Sequence, residues 1–115
     1  KILFGTEEYD TNNNFASSRF TPTVAGYYQL NSFVSGSWVA KEVAIYIYKN
    51  GNNYKNGLDV LIPAGGLNYG IGVNSLVYAN GTTDYFEIYL YSDNSQTLGG
   101  TSVGTYFNGA MVRSA

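Results

Sequence analysis

Apolar and polar residues alternate along this chain with the period of a β-strand, and no stretch carries helical spacing. Residues 2–9 read as a first strand, and Phe15 and Phe20 bracket a short polar one. Pro22 cannot donate to a ladder, so it belongs at a strand end or edge, and Ala25-Gly26 makes a turn. The central strand is then 27–34, with Tyr28, Leu30 and Ser32 on one face and Tyr27, Gln29, Asn31 and Phe33 on the other. Ser35-Gly36-Ser37 ends it. Residues 43–48 follow, with Val43, Ile45 and Ile47 opposing Ala44, Tyr46 and Tyr48, and Asn50-Gly51 gives a strong hairpin signal.

Asn56-Gly57 marks another turn, 59–62 a short strand, and Pro63 to Gly66 its end. In the Gly-rich strand 68–78, Ile71, Val73, Ser75 and Val77 oppose Gly70, Gly72, Asn74, Leu76 and Tyr78. Asn80-Gly81 turns the chain into 84–91, where Phe86, Ile88 and Leu90 face a core and Tyr85, Glu87, Tyr89 and Tyr91 face out. Residues 92–104 form a Ser/Asn/Thr/Gly loop, and 106–112 the last strand. The predicted core is Phe20, Tyr28, Leu30, Ile45, Ile47, Leu76, Phe86, Ile88 and Leu90.

The length, 115 residues, is that of one domain able to bury a core without staples. Cysteine and histidine are both absent, which removes disulfides, thiolate metal sites and the commonest general base. A net charge of −2, with 12% charged residues, gives nothing to steer nucleic acid or an anionic membrane. No apolar stretch is long enough to span a bilayer as a helix. The chain opens on Lys1-Ile2-Leu3-Phe4, already strand-like, which suggests a domain cut from a longer protein.

Phe20, Thr21, Gly26, Tyr28 and Leu30 fall at the offsets of Phe-Thr-x-Pro-x-x-Gly-x-Tyr-x-Phe, the entry to the central strand of the complement-one-q globular head, a relative of tumour necrosis factor. Pro22 sits one place early. Ile47 to Gly51 resembles the family's strand ending in an Asn-containing turn. Gly81 and Asp84 match its Gly-Asp pair if Thr82-Thr83 are an insertion, and Phe107 and Gly109 match its closing Phe-x-Gly. The resemblance spans nearly the whole chain in order. It implies an all-β, two-sheet antiparallel jelly roll of about ten short strands that assembles as a trimer. Tyr9 and Phe15 are the equivalents of an aromatic residue packed under the sandwich.

No nucleophile–base signature accompanies the 8 carboxylates, so the chain reads as no enzyme. No cofactor is expected. Some family members carry calcium near the trimer axis, but Asp10, Asp59, Asp84 and Asp93 are dispersed without the spacing of a calcium loop. Asn68 to Gly72 lacks the strand-to-helix context of a phosphate loop and reads as close strand packing. Asn80-Gly81-Thr82 matches a glycosylation sequon, although hairpin geometry explains Asn-Gly better.

Trp38 could stack on a ligand or cap the core, and Tyr46, Tyr48, Tyr89 and Tyr91 could form a binding face or only cross-strand pairs. The loops 35–41 and 92–104 are further candidates for ligand contact. Several strands are apolar on both faces. In the family, one sheet lies with its outer face along the threefold axis. Together these place Tyr27, Phe33, Ile71, Val73, Val77, Phe107 and Met111 at a trimer interface. The implied function is a trimeric receptor-binding or adhesin tip, extracellular or on a virion, resembling the heads of bacteriophage tail fibres and bacterial surface proteins. Its partners would be its own copies and a host-cell surface protein or glycan, without nucleic acid or membrane insertion. Alternatives are a structural module that trimerises and caps a fibre, or a secreted cytokine-like or lectin-like ligand.

Overall fold

The computed structural model describes residues 1–4, 14–37, 42–61, 68–93, 97–98 and 104–115. Among these residues lie nine strands and no helix. They are β1 (Phe15–Ala16), β2 (Arg19–Phe20), β3 (Gly26–Ser37), β4 (Glu42–Lys49), β5 (Asn52–Leu61), β6 (Asn68–Ala79), β7 (Phe86–Ser92), β8 (Thr97–Leu98) and β9 (Tyr106–Ser114). They pair antiparallel in two sheets. The first sheet runs β1-β2-β7-β4-β5; the second runs β6-β3-β8, with β9 also paired to β3. The chain is therefore all-β, a sandwich of two antiparallel sheets.

Two hairpins turn on paired left-handed residues, the geometry whose twist matches the flanking strands. Asn50 (φ 52°) and Gly51 (φ 83°) join β4 to β5, as the Asn-Gly signal predicts. Ser17 (φ 53°) and Ser18 (φ 57°) join β1 to β2. Serine has no marked preference for that region, so this turn carries no sequence signal.

Several expected boundaries move. Ser35-Gly36-Ser37 continues β3, because all three residues pair with β6. Asn56-Gly57 lies inside β5, where the register against β4 slips from Ala44↔Asp59 to Tyr46↔Asn56. It is a bulge, the other use of a flexible Asn-Gly pair. Gly57 is required there for closeness: a Cβ would lie 2.5 Å from Val73 Cβ and 2.8 Å from Ile45 Cγ2. Part of the expected 92–104 loop pairs with the end of β3 as β8.

Phe20, Tyr28, Leu30, Ile45, Ile47, Phe86 and Ile88 are buried as expected, and Leu90 packs partly buried against them. Ile2, Val34, Val43, Ile71, Val73 and Val77 complete the layer. The Tyr28 hydroxyl donates to the Val24 carbonyl at 2.7 Å, so its polar end is satisfied. The faces of β6 are the reverse of the expectation: Leu76 is 52% exposed, while Ile71, Val73 and Val77 are buried. The register explains this. Directly opposed residues of an antiparallel pair share a face, and Val77, Val73 and Ile71 oppose Tyr28, Ser32 and Val34. Alternation alone shows that β6 has two apolar phases and cannot say which one meets the other sheet.

Candidate functional site

The outer face of the first sheet gathers the four tyrosines expected to act together. Tyr46 opposes Tyr89, and Tyr91 opposes Ala44 one row further along. Tyr48 and Tyr89 stack with ring centroids 3.9 Å apart and planes 13° apart, and Tyr46 lies against Tyr48 at 6.5 Å. Tyr91 is 47% exposed at the end of this ladder. The cross-strand pairing is therefore present, with Tyr46, Tyr48 and Tyr89 half-buried and Tyr91 exposed beside them.

Acidic residues that are dispersed along the sequence meet at the same end. Asp59 opposes Ala44 from β5, Glu42 precedes Ala44 by two residues on β4, and the Asp93 amide donates to the Glu42 carbonyl at 3.4 Å. Asp59's charge, a hydrogen bond shared with it, and more weakly burial and Asp93 hold the Glu42 carboxyl above its ordinary value. The Tyr46 hydroxyl is also raised, by burial first and then by Asp59 and Glu42. These residues come together only through the bulged register of β5, which no sequence spacing encodes.

At the opposite end of this face sits Glu87, only 3% exposed, although its alternation points it outward. Lys1 Nζ lies 2.7 Å and Arg19 Nη2 3.2 Å from Glu87 Oε2. Lys1 Nζ also donates to the Ser17 carbonyl at 2.8 Å, and the Ile2 amide to the Ile88 carbonyl at 2.7 Å. The first residues thus lie along β7 and cover the carboxylate. Arg19 stacks over Tyr85 at 3.8 Å.

Burial pushes the Glu87 pKa up, but its bonds and charge interactions with Lys1 and Arg19 outweigh it, so the net pKa is lowered. A carboxylate with a depressed folded pKa adds stability above its unfolded pKa, and that stability is lost as pH falls through the folded value. Denaturant midpoints should therefore hold from neutral pH to about 5 and fall below about 4, the ordinary carboxylate range. Glu87→Gln should lower the neutral-pH midpoint and flatten that acid limb. Glu42 acts with the opposite sign, since its raised pKa favours the folded state as pH falls. A midpoint that rises with acidification would show Glu42 outweighing Glu87.

The outer face of the second sheet is the other aromatic surface. Tyr27 opposes Tyr78 on β6, and their ring centroids are 5.5 Å apart. Gln29 opposes Leu76 and Ala110, and Asn31 opposes Asn74 and Asn108, with Asn31 Nδ2 donating to Asn108 Oδ1 at 3.0 Å. Phe33 stacks on Tyr106 at 6.0 Å, and its ring lies across Gly70, where a side chain would collide with it. Tyr27 and Tyr78 are each 41% exposed beside Leu76.

Only part of the expected interface set lies on this face. Tyr27 and Phe33 do. Ile71, Val73 and Val77 point into the core for the register reason given above. Phe107 opposes Ser32 on the inner face and packs with Phe4 and Phe15, with ring centroids at 5.9 and 5.3 Å. Met111 opposes Tyr28, also in the inner phase, next to a register shift in the β3–β9 pairing, and remains exposed. Leu76, Tyr78 and Tyr106 take the places of the buried residues; the pairing of Leu76 with Gln29 and of Tyr78 with Tyr27 turns the first two outward, opposite to the expected faces of β6.

Asn80 is occupied by its turn. Its Oδ1 accepts from the amides of Thr82, Thr83 and Asp84 at 3.0, 2.9 and 3.0 Å, and its Nδ2 donates to Thr83 Oγ1 at 2.8 Å. Tyr9, Asp10, Trp38 and the rest of 38–41, and most of 94–103 lie outside the described residues. Among the described residues no group of three or more acidic side chains is placed to hold a metal ion. Compared with models of known families and with curated proteins, the chain matches none.

Proposed function

We propose that this chain is a non-enzymatic binding head that assembles as a homotrimer. In this reading it is a jelly roll of the complement-one-q and tumour necrosis factor type, at the tip of a phage tail fibre or surface adhesin. It acts outside the cell or on the virion and recognises a cell-surface receptor. The sequence resemblance supports the family, and the exposed aromatic and aliphatic surface formed by Tyr27, Leu76 and Tyr78 carries the assembly. A contiguous patch of this kind marks an interaction surface in a soluble protein. A module that only trimerised and capped a fibre would use this face and give no reason for the separate tyrosine face on the other sheet.

Light scattering at micromolar concentration tests the assembly. The expected mass is that of a trimer, and Leu76→Glu should convert it to a folded monomer, because a carboxylate in an apolar interface is left without a partner. Val73→Glu would not test the same idea, since Val73 is in the core and the variant would unfold. A wild-type monomer would overturn the trimer, and a trimer indifferent to Leu76→Glu would overturn this choice of face.

A further inference from the structure

We infer that the tyrosine face of the first sheet binds a basic segment of a partner protein, seating an arginine or lysine side chain against Tyr46 and Tyr91 and pairing it with Glu42 and Asp59. The inference rests on the binding-head reading and names the chemistry of what is bound.

The observations converge on one end of one face. Ala44, fully buried, opposes Asp59 on one side and Tyr91 on the other, with Glu42 and Tyr46 two residues away along its own strand. Carboxylates and aromatic rings therefore surround a single small residue. The ion pairs among the described residues use Glu87 and Asp84, and none is formed by Glu42 or Asp59. Among the described residues, Arg19 on this face is held at the far end by Glu87 and Tyr85. The two carboxyl groups instead lie diagonally across the β4–β5 pairing and share a hydrogen bond, with Asp59's charge holding the Glu42 carboxyl above its ordinary value. A cation placed between them offsets that charge and meets the negative faces of tyrosine rings.

Charge complementarity also selects against other receptors. Sialylated or sulfated glycans are anionic and are repelled here. A neutral sugar would stack on the rings and leave the carboxylates without a cation. A guanidinium fits best, because its plane can stack on a ring while its edge donates to a carboxylate.

The probe is a fluorescein-labelled peptide of alternating arginine and threonine, titrated into the intact chain. The control replaces each arginine by citrulline, which keeps the shape and removes the charge. The arginine peptide should bind at least about tenfold more tightly than the citrulline peptide, and added salt should weaken it. Amide chemical shifts of residues 42–46, 59 and 89–91 should move on binding. Glu42→Gln with Asp59→Asn should lower affinity by about tenfold, without loss of fold because the exchange removes a repulsion. Tyr91→Ala, at an exposed position, should weaken binding independently.

Equal binding of the two peptides, no binding, or full affinity in the double variant would overturn the proposal. So would a neutral oligosaccharide that shifts the same amides when the arginine peptide does not. None of these outcomes depends on the oligomeric state, so the trimer stands or falls separately by light scattering.

Discussion

Phe86→Ala is expected to cost about 3–5 kcal/mol, the range for emptying a large aromatic site in a closed core. Phe86 is fully buried at the start of β7 and opposes Phe20 on β2 and Lys49 on β4. Its ring lies 6.4 Å from that of Tyr54 on β5, so it ties three neighbouring strands of the first sheet to one point. The cavity cannot be filled cheaply. Strands on both sides are held by backbone pairing, and Ile45, Ile47 and Ile88, beside it on the same inner face of the sheet, are themselves fully buried. Urea unfolding followed by tyrosine fluorescence measures the loss. A loss below about 1 kcal/mol would mean that the site collapses freely and is no core position.

Asp84→Ala should cost about 2–4 kcal/mol, through unmade hydrogen bonds rather than lost volume. The carboxylate is buried between the β4–β5 and β6–β7 turns. Its Oδ1 accepts from Asn50 Nδ2 at 2.8 Å, and its Oδ2 from the Asn80 amide at 3.0 Å, with Lys49 Nζ at 3.1 Å. Asn50 Oδ1 in turn accepts from the Tyr85 amide at 3.0 Å, so one carboxylate holds both turns in register. Gly81 (φ 77°) completes the knot, because a side chain there would collide with the backbone at Ala25. Removing the carboxylate strands donors that water reaches poorly.

Burial raises the Asp84 pKa, but its bonds to Asn50, Lys49 and Asn80 and the charge of Lys49 outweigh it, and the net pKa is lowered. The deficit of the variant should accordingly be full at neutral pH and shrink once wild-type Asp84 is itself protonated. A deficit unchanged in acid would show that the carboxylate's charge plays no part.

The all-β class is legible in the order of residues alone. Strand alternation needs only neighbouring residues, and Asn50-Gly51 and Asn80-Gly81 carry backbone requirements in their own chemistry. Alternation also brought Tyr46, Tyr48, Tyr89 and Tyr91 to one outer face, because their opposite phases, Ile45, Ile47, Ile88 and Leu90, are unambiguously apolar. Where a strand is apolar in both phases, as β6 is, alternation loses its meaning. Only the pairing of Val77 with Tyr28 decided which side met the other sheet, and with it which residues were free to form an interface. Partner strands distant in the chain decided the rest. Asp59 reaches Glu42 through a bulge in β5, and Lys1 covers Glu87 across the whole length of the intervening chain. Local composition holds no record of such meetings, because they are fixed by register between strands and not by order along one.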